Sequence, residues 1–157
     1  MRIGIGYDSH RLEAGRPLIM GGIHVPFERG LKGHSDADVL IHAIVDAILG
    51  ATGLGDIGTH FPDSDGRYRN CSSLYFLETV YHMTQTEGYR IMNVDAVVIA
   101  EAPKFAPYFP QMKNQLAAVL QLKEKSIGLK AKTNEGMGWL GRGEGIAALA
   151  VALVEDL

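Results

Sequence analysis

Cysteine is nearly absent from this chain: Cys71 is the only one in 157 residues. One thiol excludes an intramolecular disulfide and any CxxC metal pair. A reducing, cytoplasmic setting is the expectation that fits. An excess of one charge is also missing, with 15 Lys and Arg against 18 Asp and Glu, a net −3. That balance excludes the broad basic footprint of a nucleic-acid binder and a polybasic membrane patch. Long apolar runs are lacking too. The longest, Ile146 to Val154, falls far short of the ~20 residues that span a bilayer. The opening MRIGIGYD is expected to enter a strand directly, without the n-region and h-region of a signal peptide. Low-complexity segments, long linkers and internal repeats are not found. A chain with 46% hydrophobic and 21% charged residues is expected to form one globular domain over residues 1–157.

What is present is organised around Gly4-Ile5-Gly6-Tyr7-Asp8-Ser9-His10. The alternation predicts a strand with Ile3, Ile5 and Tyr7 on one face and Gly4, Gly6 and Asp8 on the other. The two glycines leave room for a closely packed neighbour. Asp8 and His10 share a face about 6.6 Å apart along the strand, within reach of one cation. LIMGGIHVP at 18–26 reads as a hairpin about Gly21-Gly22. Ser35 or Asp36 is the expected cap of a helix whose apolar stripe runs from Ala37 to Ala51 and ends at Gly53. His42 lies off the centre of that stripe, flanked by Asp38 and Asp46 four residues away on either side.

Residues 53–70 are expected to form a polar loop carrying Asp56, His60, Asp63 and Asp65. A helix follows from Ser72 or Ser73, with Leu74, Leu77, Val80 and Tyr81 inward and Gly88 past its end. Residues 91–100 and 127–133 read as strands, with a helix over about 107–121 between them. The glycine-rich stretch 136–145 is expected to lead into an alanine-rich helix. The order ββ(β)-α-α-β-α-β-α predicts an α+β fold, a mixed sheet with helices on one face.

Four groupings could carry chemistry. Asp8, His10 and His42 make a plausible zinc triad with an open fourth position, and Asp38 or Asp46 could orient the His42 ring. The plainer reading is an ordinary DxH tripeptide and a half-buried helix histidine. Gly136 to Gly145 with Arg142 suits either an anion site at a helix N-terminus or a tight turn. Gly136 to Gly141 matches GxGxxG, but the second strand and acidic residue of a dinucleotide fold do not follow. Glu135, after Lys132-Thr133-Asn134, could hold magnesium on phosphate oxygens or lie in a solvated turn. Asp56, Asp63 and Asp65 suit sugar hydroxyls or plain turn chemistry.

DSH at 8–10, GHSDADVLIHAIVDAILGA at 33–51, GDIGTHFPD at 55–63, IAEAPK at 99–104 and TNEGMGWLGRGEGIA at 133–147 together resemble the 2-C-methyl-D-erythritol 2,4-cyclodiphosphate synthase family of the non-mevalonate isoprenoid pathway. The likeness is collinear over nearly the whole chain. It implies that 4-diphosphocytidyl-2-C-methyl-D-erythritol 2-phosphate closes on itself and releases CMP. It implies zinc on Asp8, His10 and His42, and magnesium or manganese with Glu135. His34 and Thr133 would stabilise the transition state, and Ser35 would bond a phosphate. Asp56 and Gly58 would hold the ribose, and Ile57, Phe61 and Asp63 the methylerythritol arm. The cytosine would lie along Ala100 to Ala106, with Lys104 and Thr133 near the nucleotide phosphates. The resemblance also implies a homotrimer with sites between subunits and an axial cavity near Arg142. Two positions depart from the family's habit. Lys132 stands where threonine is frequent, adding a phosphate contact or pointing to solvent. Trp139 stands where phenylalanine is common and would narrow the cavity.

Two other functions compete with this one. A zinc phosphohydrolase would use the open metal position to activate water. A trimeric binding module for isoprenoid diphosphates would use its metal only as structure.

Overall fold

The computed structural model describes Met1–Leu157. Strand β1 (Arg2–Ala14) is the spine. It pairs antiparallel with β7 (Gly145–Asp156), unbroken from Arg2↔Val154 to Arg11↔Gly145, and with β4 (Arg29–Leu31) near its end. Strand β5 (Tyr89–Ile99) pairs antiparallel with β7 and parallel with β6 (Ile127–Lys132). The sheet order is β4-β1-β7-β5-β6, and β2 (Leu18–Met20) with β3 (Ile23–Val25) form the separate hairpin expected about Gly21-Gly22.

The alternation of β1 is inverted with respect to burial. Gly4 and Gly6 are buried or packed inward, whereas Ile3, Ile5 and Tyr7 are 72%, 66% and 54% exposed. The reason is helix α1 (Val39–Thr52), which lies on the glycine face with its backbone in contact. A Cβ on Gly4 would stand 2.0 Å from the carbonyl oxygen of Ala47. Helix α1 is buried all round, leaving only Asp46 and Gly50 with appreciable exposure. Its fully buried Leu, Ile and Val side chains each contribute roughly 2 kcal/mol. Helices α3 (Ser73–Thr86) and α4 (Phe109–Leu120) extend the same layer, α3 against α1 and β5, α4 against α3 and β6. The helices thus cover one face of a mixed sheet.

Four expectations need correction. The α1 cap is Asp38, not Ser35 or Asp36; Ala37 takes a left-handed φ of 58° and the helix starts beyond it. Asp38 wins because its carboxylate also accepts from the hairpin amides of Gly21 and Gly22. Segment 53–70 is not a plain loop. It contains α2 (Ile57–His60), capped by Asp56, and a 3₁₀ turn at Gly66–Tyr68, capped by Asp65. The alanine-rich C-terminal run is strand β7, not a helix. Alanine favours helix in isolation, but this run lacks a polar face and is central in the sheet. Ala148, Ala150 and Ala152 are buried there, small enough to let α1 lie close. The glycine-rich stretch therefore precedes no long helix. It folds as a tight turn around the short α5 (Gly138–Gly141), where Gly136 and Gly138 have φ of 73° and 66°.

Candidate active site

The register of β1 places Asp8 and His10 beyond the two glycines on the face turned toward α1. Ala43 of α1 rests on Gly6, so the preceding residue, His42, is brought to the strand end. Asp8 Oδ2 is 2.8 Å from His10 Nε2 and 3.0 Å from His42 Nδ1. The two ring nitrogens are 3.3 Å apart. Ligand atoms bound about 2.05 Å from a tetrahedral zinc lie about 3.3 Å from one another. The three donor atoms therefore fit one small cation with little adjustment, and the donor set, two imidazoles and a carboxylate, is one that zinc accepts.

Electrostatics sharpen the cluster. Burial alone would raise the Asp8 carboxyl, but hydrogen bonds from His10 and His42 hold it well below the usual carboxylate range. Burial disfavours charge on His42, yet Asp8 beside Nδ1 more than offsets this and pushes the ring's pKa up. Asp38, fully buried and close to Asp36, is raised despite the amides it accepts from.

The aspartates flanking His42 do not orient it. Asp38 accepts from Gly21, Gly22 and Ile41 N–H groups, and Asp46 accepts from Ile57 N at 2.7 Å. The far nitrogen of His42 instead meets Ser73 Oγ at 2.9 Å, with Ser35 Oγ at 3.3 Å. From sequence, Ser73 reads only as a helix-start residue. Its place beside His42 depends on how α3 docks against α1, and nothing in its neighbours signals that.

A cavity of about 400 Å³ opens over the trio. His34, Ser35, Ile57, Gly58, Phe61 and Asp63 also line it, as do Tyr68 and Phe76, which sequence reasoning missed. Phe61 and Phe76 stack at 4.6 Å between ring centroids and form an apolar wall. No lysine or arginine lines this cavity. A phosphate entering it would find only histidine side chains, unless a bound cation met its charge.

The remaining expected site residues lie elsewhere in the chain. Asp56 is spent capping α2, where the Thr59 hydroxyl and N–H keep its carboxyl low. Ala100, Lys104, Ala106, Lys132 and Thr133 line a second cavity of about 250 Å³, at the ends of the parallel strands β5 and β6. It shares no residue with the first. His34 and Thr133, expected to act together, are thus in separate cavities of one chain. Glu135 sits on an exposed left-handed turn, φ 52°, lining neither. Trp139 flanks a third depression with His10, Arg11 and Glu144, and Arg142 pairs with Glu144 at 2.6 Å.

Comparison with known proteins places this architecture. The YgbB family model matches residues 1–155. The 2-C-methyl-D-erythritol 2,4-cyclodiphosphate synthase of Desulfatibacillum aliphaticivorans is 55% identical over 155 residues, covering 99% of this chain and 100% of that protein. The synthase of the same name from Pelotomaculum thermopropionicum is 53% identical over 98% of this chain and 95% of its own length. Among solved structures, the bifunctional IspDF of Campylobacter jejuni superposes with a TM-score of 0.96 at 39% identity. That match covers 99% of this chain but 42% of the bifunctional one. A CDP-bound 2C-methyl-D-erythritol-2,4-cyclodiphosphate synthase gives a TM-score of 0.90 at 39% identity, over 98% of this chain and all of that one.

Proposed function

The chain belongs to the YgbB family, and on that premise we propose that it is a lyase forming 2-C-methyl-D-erythritol 2,4-cyclodiphosphate from 4-diphosphocytidyl-2-C-methyl-D-erythritol 2-phosphate. An oxygen of the 2-phosphate bonds to the β-phosphorus. The bond from that phosphorus to the bridging oxygen breaks, and CMP leaves with the oxygen and its electron pair. Nucleophile and electrophile belong to one molecule, so the protein's task is to fold the substrate back and neutralise its charge. The observation that carries this reading is the trio Asp8, His10 and His42, with donor atoms 2.8 to 3.3 Å apart, facing a cavity lined by no lysine or arginine.

Zinc held by Asp8, His10 and His42 would supply Lewis-acid neutralisation of phosphate oxygens. His34 and Ser35 line the same cavity and would meet the phosphates there. Ile57 and Phe61 pack the methylerythritol arm, and Asp63 accepts from its hydroxyls. Gly58 and Asp56 lie at the start of α2, where the ribose passes. Ala100 to Ala106 receive the cytosine, with Lys104, Lys132 and Thr133 on the nucleotide phosphates. Glu135 would hold magnesium or manganese, which would supply further charge neutralisation for the phosphates.

The reading includes a homotrimer of one-domain chains, with each site shared between neighbours. Two features support it. The sheet face away from the helices exposes Ile3, Ile5, Tyr7 and Leu149, side chains that gain from being covered. The metal-side and nucleotide-side residues occupy separate cavities within one chain. Trp139 and Arg142 would face the axial cavity. No helix is long and apolar enough to cross a membrane; a cytoplasmic location is part of the proposal.

Phosphorus NMR of the substrate incubated with protein, zinc and magnesium tests the reaction. CMP and a cyclic diphosphate are the expected products. Linear hydrolysis products carrying oxygen from labelled water would replace this reading with a phosphohydrolase.

A further inference from the structure

The hydrogen bonds behind His42 form a one-way chain. Asp36, in the turn before α1, accepts the Ser73 N–H on Oδ2 at 2.9 Å and the Ser73 hydroxyl on Oδ1. A carboxylate can only accept, so the single hydroxyl hydrogen of Ser73 is committed to Asp36. What Ser73 Oγ offers His42 Nε2, 2.9 Å away, is a lone pair. Ser35 Oγ, at 3.3 Å, accepts the Ala37 N–H and keeps a second lone pair on the same side of the ring. Ser73 is 0% exposed, so water does not substitute for it.

We propose that Ser73, held by Asp36, is a positioning residue that keeps the His42 proton on Nε2 and leaves the Nδ1 lone pair facing Asp8 and His10. The inference rests on the reading of those three residues as metal ligands. The arrangement matters because Asp8 Oδ2 lies 3.0 Å from Nδ1 and would draw the ring proton there. A proton on Nδ1 occupies the lone pair that a metal needs. Asp36 and Ser73 oppose that pull from the far side of the ring. The backbone fastens both partners: Asp36 N donates to Cys71 O at 3.0 Å, tying the turn before α1 to the start of α3. Loss of such an outer partner typically weakens metal binding 10- to 100-fold.

The test uses the full-length chain stripped of metal, with imidazole nitrogens labelled and spectra recorded above the ring's titration. The wild type should show the Nε2–H form of His42. Ser73→Ala should move the proton toward Nδ1, and its zinc dissociation constant should rise about 10- to 100-fold. Ser73→Cys, similar in size but a poor acceptor, carries the same expectations if the alanine variant fails to fold. An Nδ1–H ring in the wild type would overturn the proposal. So would a folded variant with both the wild-type tautomer and the wild-type zinc affinity. A wild-type chain that binds no zinc would instead remove the metal reading of the trio, while the tautomer would still decide the role of Ser73.

Discussion

Gly6 lies directly beneath Ala43: a Cβ on Gly6 would stand 1.9 Å from the Ala43 carbonyl oxygen. No side chain fits between them, so backbone contact sets the height of α1 above the sheet. The residue after Gly6 by two is Asp8, and the residue before Ala43 is His42. Gly6→Ala must therefore lift the helix and pull the imidazole off the carboxylate. We expect a loss of about 3 kcal/mol or more in stability, at the upper end for overpacking. Zinc binding should fall in the fraction that still folds. Urea unfolding and zinc titration of the variant check both.

Asp38 gathers three amides, those of Gly21, Gly22 and Ile41, while fully buried. Asp38→Ala strands all three and removes the α1 cap, with an expected loss on the order of 2–4 kcal/mol. Asp38→Asn should lose less. Its carbonyl oxygen still serves Gly21 and Ile41, and only the Gly22 N–H meets an amide in place of an acceptor. Denaturant midpoints of the two variants, ranked against wild type, test the order.

Zinc affinity should rise with pH through the neutral range. In the metal-free chain Asp8 favours the charged His42 ring, so its pKa lies above the ordinary 6.5. The stabilisation this gives the fold is complete below that ordinary value and fades as pH climbs through the raised one. A metal ion competes with the same proton, so binding strengthens over that window and levels off above it. Asp8 sets no limit there, since its carboxyl is held below the usual range and protonates only in strong acid. Calorimetry in buffers of different ionisation enthalpy should show proton release on zinc binding near neutrality. Affinity that is flat across the window would contradict the coupling.

The exposed row of Ile3, Ile5 and Tyr7 gives a test of assembly. Ile5→Glu should yield a folded chain of monomer mass by analytical ultracentrifugation, with little cyclising activity. His42→Ala and Lys104→Ala, each nearly inactive alone, should regain activity when unfolded and refolded together. Mixed assemblies would then contain some junctions with both halves intact. No recovery from the mixture would count against a site shared between chains.

Much of this was readable in the residues because it depends on local rules. The Asp8 and His10 side chains share a face by strand geometry alone, and Gly4 and Gly6 announce a close neighbour. Strand β5, the Ser72 cap and the Gly53 terminus follow from composition and turn chemistry. Where the reading failed, tertiary context had overridden a local preference. Residues 146–154 favour helix by alanine content, but they lie between β1 and β5 and beneath α1, where small residues are needed in a strand. Asp38 reads as a partner for His42, but the hairpin amides claim it. Ser73 is silent in sequence because its contact bridges residues 31 apart. The division of the proposed substrate residues between two cavities follows from the sheet order and not from any motif.

Strand β1 is hydrogen-bonded to β7 without interruption from Arg2 to Arg11. It carries Ile5 toward solvent and, three residues on, Asp8 toward His10 and His42. Unbroken pairing joins these two points through one stretch of backbone. In the proposed trimer, chelating the proposed cation should loosen the association of subunits, and pulling subunits apart should release that cation. Native mass spectrometry at graded chelator concentrations would then show metal and partner chains departing together.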